Sequence, residues 1–262
     1  MTPTFRVVSY NIHSCVGGDR RCNPERVWHV LHEIGADIVG LQEVGSRNLI
    51  EEMEQFHFFG QRLCMNGVAA SNPRWGRLHF GNAVFTSGEI LEARSLDLTV
   101  LPRVPRSAID CTIRIRDRTV RVVATHLGLF PHERRMQVDR LAGTLQERQA
   151  DLTVLLGDFN VFGLERKVLR RIGAPARLPK LRTFPSRSPL MSLDRIWTIP
   201  NRDLARIHVH RTPLSRAASD HLPIVADISI APMWRVPLPE VTRRARLGWL
   251  RRRVPAGGAV ER

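Results

Sequence analysis

Short apolar runs recur along most of the chain and are separated by polar, proline-containing or glycine-containing segments. Each run is only a few residues long and is rich in Val and Ile, which favours β-strands over helices. The runs predict strands at Phe5–Ile12, Ile38–Val44, Ala83–Thr86, Thr119–His126, Leu152–Phe159, Leu193–Ile199 and Ile224–Ile230.

Helical patterns lie between these strands. Asn23 is placed to cap a helix that has Pro24 at its first position, and apolar residues recur on one face until Gly35 stops it. The two further helices predicted by the same kind of pattern are Pro131–Gln149 and Leu164–Ile172.

The order of these elements does not alternate strictly between strand and helix, as a doubly wound parallel sheet would require. We therefore predict an α/β protein in which two mixed β-sheets pack face to face with helices outside. Strand ends and the loops after them then meet at one rim, where catalytic residues from distant parts of the chain converge. The segment Pro175–Pro189, rich in Pro, Ser and Arg, is predicted to be a loop beside that rim.

A chain of 262 residues with 43% hydrophobic content is long enough for one domain with a large core. We predict a catalytic domain over residues 1–231 and a basic, Arg-rich tail over residues 232–262. No signal sequence and no apolar stretch of bilayer length is visible, and the four cysteines lack zinc-like spacing. These features predict a cytoplasmic protein with free thiols and no transmembrane segment.

The net charge of +15 favours a polyanionic partner, because clustered cations neutralise phosphates and release counterions. Lys167 and Lys180 are the only lysines, so a coding bias toward Arg is an equally weighted explanation. Six arginines lie within residues 241–254. This stretch is a candidate for contact with an anionic membrane or nucleic acid, and the alternative is a solvated or domain-packing helix.

Polar side chains occupy the ends of the predicted strands. Four predicted strands have a reactive residue at their end: Asn11, Glu43, His126 and Asp158. The polar pair Asp220–His221 precedes the last strand, and Asp194 interrupts an apolar run. Carboxylates suit a hard cation and imidazole supplies general acid or base groups. This inventory is typical of metal-dependent hydrolysis of phosphate esters.

The same residues stand in motifs that resemble those of the endonuclease/exonuclease/phosphatase superfamily, a deoxyribonuclease I-like group. The motifs occur in that family's order across residues 5–230, and they are Ser9–Asn11, Leu41–Glu43, Thr125–Leu127, Gly157–Asn160, Leu193–Ile196 and Ser219–His221. Any one motif alone is weak, whereas the ordered set is specific. The resemblance implies a four-layer α/β-sandwich, in agreement with the prediction from the strand pattern.

The resemblance also implies roles at a Mg²⁺ or Mn²⁺ site. Glu43 corresponds to the principal metal ligand, Asn11 to the asparagine that serves the metal site and orients phosphate, and Asp220 to a carboxylate beside the metal.

Four further positions match catalytic ones. Asp158 corresponds to the carboxylate that positions or deprotonates the attacking water, and Asn160 to a hydrogen-bond donor to the phosphoryl oxygens. His221 is expected to contact the scissile phosphate, with Asp194 holding its ring and tautomer.

His126 matches a phosphate-contacting position, and Asn82 is a further candidate for binding phosphate. Three departures from the family stand out. His13 replaces an Asp of the abasic-site endonucleases, which argues against a metal site that uses that carboxylate, and Ser188–Ser192 stands in place of their aromatic-bearing stretch, so abasic-site repair is disfavoured. Arg195 replaces a Tyr that follows the Asp in many relatives.

The predicted reaction is in-line attack of water on a phosphate ester, and the predicted enzyme is a phosphodiesterase or nuclease. The alternative is a phosphatase or phosphodiesterase that acts on a phospholipid or a small phosphorylated compound, because the chemistry is the same whatever group the phosphate carries. A third hypothesis is a binding module without catalytic activity.

Overall fold

Two β-sheets lie face to face in the computed structural model, which describes residues 4–45, 54–71, 81–148, 150–201 and 203–229. The strands are β1 (Thr4–Asn11), β2 (Ile38–Val44), β3 (Asn66–Ser71), β4 (Gly81–Thr86), β5 (Glu89–Asp97), β6 (Ser107–Ile115), β7 (Arg118–His126), β8 (Thr153–Asp158), β9 (Asp194–Ile199), β10 (Leu204–Val209) and β11 (Ile224–Ser229). The helices are α1 (Pro24–Ile34), α2 (Glu54–Leu63), α3 (Pro131–Glu147) and α4 (Pro213–Ala218), with 3-10 helices at His13–Cys15 and Gly163–Ile172.

Each sheet contains one parallel pair among antiparallel neighbours. The first sheet has the order β10-β11-β1-β2-β4-β3, and β1 and β2 are parallel. The second has the order β5-β6-β7-β8-β9, and β7 and β8 are parallel. The carboxyl ends of a parallel pair lie at the same edge, and the antiparallel strands beside the pair begin at that edge.

Three layers of buried apolar side chains hold the four layers of the fold together. Alternate residues of a strand point to opposite faces, so Val7 packs between the sheets while Val8 packs under α1 with Val30. The outer face of the second sheet packs against α3 and the 3-10 helix Gly163–Ile172 through residues such as Val123 and Leu141. The predicted four-layer α/β-sandwich is confirmed.

Helix α1 has the predicted boundaries. The Asn23 side chain accepts a hydrogen bond from the backbone N–H of Arg26 at 3.2 Å, and Gly35 adopts φ 59° and donates to the carbonyl of Leu31. Glycine takes this left-handed conformation without a steric penalty, so it is suited to end a helix.

The other two predicted helices are present with shifted ends. Helix α3 ends at Glu147, two residues before the predicted end at about Gln149, and Gln149 lies outside the described residues. The third helix is a 3-10 helix, which begins at Gly163 and ends before Gly173.

Several elements have no counterpart in the prediction: β3, β5, β6, β10, α2 and α4. The edge strand β5 is largely exposed and carries many polar residues, whereas the edge strand β10 is mostly half-buried and is interrupted by Arg206 and His208, so neither has a continuous apolar run. Strand β6 is interrupted by Asp110, a buried carboxylate that pairs with Arg121. The predicted tail, residues 232–262, lies outside the described residues.

Cys15 and Cys111 are buried, whereas Cys22 and Cys64 are exposed, and no disulfide joins any of the four within the described structure. Among the described residues, no helix combines the length and the apolar character that crossing a bilayer requires.

Candidate active site

The parallel pairs of the two sheets bring the predicted residues to one edge. Asn11 and Glu43 lie at the ends of β1 and β2, and His126 and Asp158 lie at the ends of β7 and β8. Strands that run the other way begin at the same edge, and they bring Asn82, Asp194 and His221. The site is therefore assembled from both sheets.

Asn11 joins two carboxylates that come from different sheets. Its Nδ2 donates to Glu43 Oε1 at 3.1 Å and to Asp158 Oδ2 at 3.1 Å. Asn11 and Asp158 are each 1% exposed, whereas the Glu43 side chain is 23% exposed. The pair of carboxylates thus has one fully buried member and one that solvent reaches.

Two of the site residues have left-handed backbones. Glu43 has φ 56° and Asn160 has φ 51°, conformations that non-glycine residues adopt at a cost and that cluster at functional sites. The register between β2 and β4 shifts between Leu41 and Val44, which re-aims the intervening side chains. Strand β2 therefore departs from regular pairing where it presents Glu43 to the site.

The glycine before Asp158 permits close contact between β7 and β8. Gly157 has φ 147°, and a Cβ at this position would lie 1.9 Å from the carbonyl oxygen of Thr125. No residue with a side chain fits there without a shift of the backbone. The glycine of the Gly157–Asn160 motif thus fixes the position at which Asp158 leaves the strand.

His221 is held by Asp194 and by the loop that precedes β9. Its Nδ1 lies 2.8 Å from Asp194 Oδ2, which also accepts a hydrogen bond of 2.5 Å from Thr183 Oγ1. The Phe184 ring packs against the imidazole with centroids 4.8 Å apart. Because Nδ1 faces a carboxylate, the other nitrogen, Nε2, is directed to Asp158 Oδ2 at 3.7 Å. The predicted loop beside the rim therefore supplies part of the site.

Electrostatics assign different charge states to the two site histidines. Burial acts to lower the pKa of His221, but the charge and hydrogen bond of Asp194, with the charge of Asp158, outweigh it and raise the pKa to about 10. Burial lowers the pKa of His126 well below 6.5, and the Arg106 charge acts in the same direction. His221 is an imidazolium at neutral pH and His126 is neutral.

The charge state of Asp158 differs from that of an ordinary aspartate. Burial and the neighbouring Asp194 charge raise its pKa to about 6, against the lowering effect of His221 and of the Asn11 hydrogen bond. Asp158 is thus a stronger base than a solvated carboxylate, and its pKa lies near neutral pH.

Arg106 is a site residue that the sequence analysis missed. It is 5% exposed, and its Nη1 lies 3.5 Å from Nδ1 of His126. Arginine only donates hydrogen bonds, so we assign Nδ1 of His126 as the acceptor and Nε2–H as the group facing Asp158 Oδ2 at 3.6 Å. One arginine in a chain so rich in arginine, outside any motif, carries no sequence signal.

Three predicted residues lie at the margin of this cluster. Asn160 donates from Nδ2 to the carbonyl of Leu127 at 2.9 Å, and its backbone N–H donates to Asp158 at 3.0 Å. Asn82 donates to the carbonyl of Ser107 at 2.8 Å, and its buried Oδ1 has no hydrogen-bond partner within the described part of the chain.

The third marginal residue is Asp220. Its side chain is 39% exposed and lies 3.8 Å from His13 Nδ1, the residue that replaces an Asp of the abasic-site endonucleases. Asp220 contributes to the raised pKa of His221 through its charge.

The contacts of Arg195 explain its place in the motif. Its Nη2 donates to the carbonyls of Val161 at 3.0 Å and Ser192 at 2.7 Å. These carbonyls belong to the segment after Asn160 and to the segment before Asp194. The arginine is 3% exposed, and burial lowers its pKa to about 10. It therefore ties together two segments that carry site residues.

The donor chemistry of the cluster fits a hard divalent cation. Asp158, Asp194 and His221 have ligand atoms within 4.8 Å of one another, but Asp194 and His221 are already hydrogen-bonded to each other. Mg²⁺ and Mn²⁺ prefer oxygen ligands. Glu43, which solvent reaches and which lies beside Asn11, supplies a carboxylate that fits such an ion better than the hydrogen-bonded Asp194–His221 pair does.

Residues 8–221 match the sequence model of the endonuclease/exonuclease/phosphatase family. The proteins named YbhP of Escherichia coli K12 and Shigella flexneri, both described as uncharacterized, are 27% identical to this chain over 251 residues, which cover 87% of this chain and 97% of theirs.

Solved structures share the fold at low sequence identity. An endonuclease/exonuclease/phosphatase from Beutenbergia cavernae superposes with a TM-score of 0.69 at 20% identity, covering 86% of this chain and 71% of its own. The catalytic domain of human nocturnin, solved with a bound sulfate anion, superposes with a TM-score of 0.65 at 21% identity, covering 87% and 95%.

Proposed function

Because this chain belongs to the endonuclease/exonuclease/phosphatase family, whose members are generally hydrolases of phosphate esters, we propose that it is a metal-dependent phosphodiesterase that acts on nucleic acid. The observation that carries this proposal is the convergence of three nitrogen-bearing side chains on one carboxylate oxygen, Asp158 Oδ2. Asn11 lies 3.1 Å from it, His126 3.6 Å and His221 3.7 Å.

Asp158 is assigned the role of general base. Its carboxylate is buried at the edge where both sheets end, and its raised pKa makes it a competent acceptor for the proton of an attacking water. The backbone N–H of Asn160 and the Asn11 amide hold the two carboxylate oxygens. The carboxylate is therefore oriented before substrate arrives, so little reorganisation accompanies the reaction.

His221 is assigned the stabilisation of charge on the phosphoryl group. The imidazolium is held by Asp194 through Nδ1, so Nε2–H is the donor available to a phosphoryl oxygen. Preorganised donors of this kind stabilise charge that develops in the transition state. Neutral His126 and Asn160 are proposed as further donors, and Asn82 as a phosphate-binding residue at the margin.

Glu43 is proposed to hold the divalent metal, Mg²⁺ or Mn²⁺, with Asn11, and with Asp220 beside it. When bound, such an ion neutralises phosphoryl oxygens as a Lewis acid. The partial exposure of Glu43 and Asp220 leaves this side of the site open to solvent and to substrate phosphate.

Nucleic acid is proposed as the substrate because the chain carries a net charge of +15, which attracts a polyanion. That the nocturnin catalytic domain holds a sulfate anion supports binding of a tetrahedral anion by this fold. A phospholipid or a small phosphate ester remains the alternative substrate, and the experiment below separates the two.

The test is hydrolysis of plasmid DNA, single-stranded oligonucleotides, bis-p-nitrophenyl phosphate, p-nitrophenyl phosphate and phospholipid vesicles, with and without Mg²⁺ or Mn²⁺. The variants are Glu43→Gln, Asp158→Asn and His221→Asn. The matched control is His210→Asn, because His210 forms a comparable imidazole–carboxylate contact of 2.8 Å with Glu33 at the surface.

We expect cleavage of DNA that requires the metal, is unchanged in His210→Asn, and falls by about 10²–10⁴-fold in the Asp158 and His221 variants. The rate on DNA should also decrease steeply as salt rises. Hydrolysis of lipid or small esters with no action on DNA would contradict the proposed substrate. Full activity of Asp158→Asn would contradict the proposed mechanism.

A further inference from the structure

A hollow of about 310 Å³ beside the 3-10 helix Gly163–Ile172 is lined by five cationic side chains. Arg166, Lys167 and Arg170 come from the helix, and Arg177 and Lys180 come from the loop that follows it. No carboxylate is among the residues that line it in the described part of the chain. We call this hollow the cationic cup, and none of its residues belongs to the candidate active site.

Within the described part of the chain, the cations of the cup lack the carboxylate partners that arginines just outside it have. Arg171 pairs with Asp139 at 2.6 Å, and Arg134 pairs with Glu165. Inside the cup, Arg166 Nε donates to the carbonyl of Gly163 at 2.9 Å and Arg170 Nη2 to that of Ala176 at 3.5 Å. Both are backbone oxygens, so neither arginine is neutralised by a counter-charge from the described residues.

The remaining three cations of the cup have no hydrogen-bonded or ion-paired partner among the described residues, and these are Lys167, Arg177 and Lys180. Like charges gathered without a counter-charge repel one another. Such a cup is therefore ready to bind an anion, because an anion removes that repulsion as it gains hydrogen bonds.

Both lysines of the whole chain lie in this cup, although the chain has 40 basic residues. A coding bias toward arginine accounts for the excess of arginine, but it does not account for the placement of both exceptions at one hollow, one on the helix and one in the loop that follows it. Lysine presents a compact point charge on a flexible stem and binds phosphate in that form. The placement of Lys167 and Lys180 is thus a second, independent indication of an anion site.

We infer that the cationic cup is a second binding site, separate from the catalytic carboxylates, for a compact anion that carries several phosphate groups. The volume lies at the lower end of the range of ligand pockets, about 300–1,000 Å³. Five cations and no carboxylate line the hollow within the described residues, which concentrates the positive field there and favours a compact ligand over an extended backbone. The ligand chemistry is that of a free oligophosphate or of a phosphorylated inositol headgroup.

The two lysines allow a test that reports on this cup alone. The full chain is labelled with carbon-13 at the lysine ε-carbon, which places one NMR signal at Lys167 and one at Lys180 and none in the Arg-rich tail. Inorganic tripolyphosphate is titrated in buffer with EDTA, so that no catalytic metal contributes to binding. We expect both signals to shift, to saturate, and to give the same dissociation constant.

A charge-matched pair of variants tests the walls while both reporters stay in place. Arg170→Gln/Arg177→Gln removes one cation from the helix and one from the loop, and we expect the dissociation constant to increase about tenfold or more. The control, Arg114→Gln/Arg116→Gln, removes the same charge at the turn between β6 and β7, where these arginines form exposed ion pairs. We expect the control to bind as the parent chain does.

Three results would overturn the inference. The first is a shift that increases linearly without saturation, and the second is equal weakening of binding in both double variants, since each indicates general surface charge. The third is saturable shifts with a short oligodeoxythymidylate but none with tripolyphosphate, which would assign the surface to nucleic acid. A parallel titration with inositol 1,4,5-trisphosphate distinguishes the two kinds of ligand. Tighter binding of the inositol phosphate indicates a phosphorylated headgroup, and tighter binding of tripolyphosphate indicates a linear oligophosphate.

Discussion

Arg121 joins the second sheet to the end of helix α3, and its removal is predicted to destabilise the protein strongly. The side chain is 1% exposed. Its Nε and Nη2 donate to the two carboxylate oxygens of Asp110, each at 2.8 Å. The same guanidinium also donates to the carbonyls of Thr144, at 3.0 Å, and of Arg148, at the C-terminal end of α3. The perturbation we consider is Arg121→Met, which keeps much of the side-chain length and removes every donor.

The magnitude follows from what the variant leaves behind. Asp110 is fully buried and keeps one partner, Arg94, whose Nε lies 2.9 Å from Oδ2. Breaking a buried ion pair by removing one partner costs about 3–5 kcal/mol, and the unpaired carbonyls of α3 add about 0.5–1.5 kcal/mol. We therefore expect the free energy of unfolding to fall by at least about 3 kcal/mol, a large part of the about 5–15 kcal/mol of an ordinary domain.

The assay is urea unfolding followed by tryptophan fluorescence, with Arg114→Met as the control. Arg114 pairs with Glu89 at 2.6 Å, but both side chains are more than half exposed, and exposed pairs contribute about 0–1 kcal/mol. If Arg121→Met loses no more stability than Arg114→Met, the assignment of Arg121 as a structural link is refuted.

The pH dependence provides a second check. Burial alone would raise the pKa of Asp110, but the hydrogen bonds and charges of Arg121 and Arg94 outweigh burial and lower it. Because the pKa of Asp110 is lowered in the folded state, its contribution to stability is complete when the pH is above the pKa of the unfolded carboxyl, about 3.9. This contribution is lost as the pH falls through the pKa of the folded state. We expect this acid-dependent loss to be smaller in Arg121→Met, and an unchanged loss would contradict the argument.

Three further predictions concern the packing around the site. Gly40→Ala would place its Cβ 2.1 Å from Leu156 Cδ1, and this overpacking should lower the free energy of unfolding in urea by about 1–3 kcal/mol. Leu156→Val in the same chain should recover most of that loss, whereas no recovery would argue against a direct clash. In Gly157→Ala the new Cβ would clash with the backbone of Thr125 rather than with a side chain, so we expect a greater loss of stability than for Gly40→Ala. An equal or smaller loss would count against the close contact between β7 and β8. Arg195→Met should lower kcat by about 10–100-fold with little change in KM, because it loosens segments that position catalytic groups. A change in thermal stability alone would show that Arg195 is only a structural residue.

The strand pattern predicted the interior of the fold better than its edges. Runs such as Ile38–Val44 are buried on both faces, so they carry a continuous apolar signal. Edge strands such as β5 and β10 need no such run, because solvent covers one side of them. Strand β6 was missed because Asp110 breaks its apolar pattern, and the positions of Arg121 and Arg94 in the two neighbouring strands make that buried charge tolerable.

The chemical types at the site and their places at strand ends followed from the amino-acid sequence alone, because a polar residue that ends an apolar strand must lie at the rim of the sheet. The tertiary structure alone decided which of them meet. The parallel pairs in the two sheets bring Asn11 and Asp158, 147 residues apart along the chain, to 3.1 Å. Arg106 lies in the site and both lysines lie in one cup for the same reason. Such contacts depend on how the layers of the fold pack, and no local pattern of residues encodes that packing.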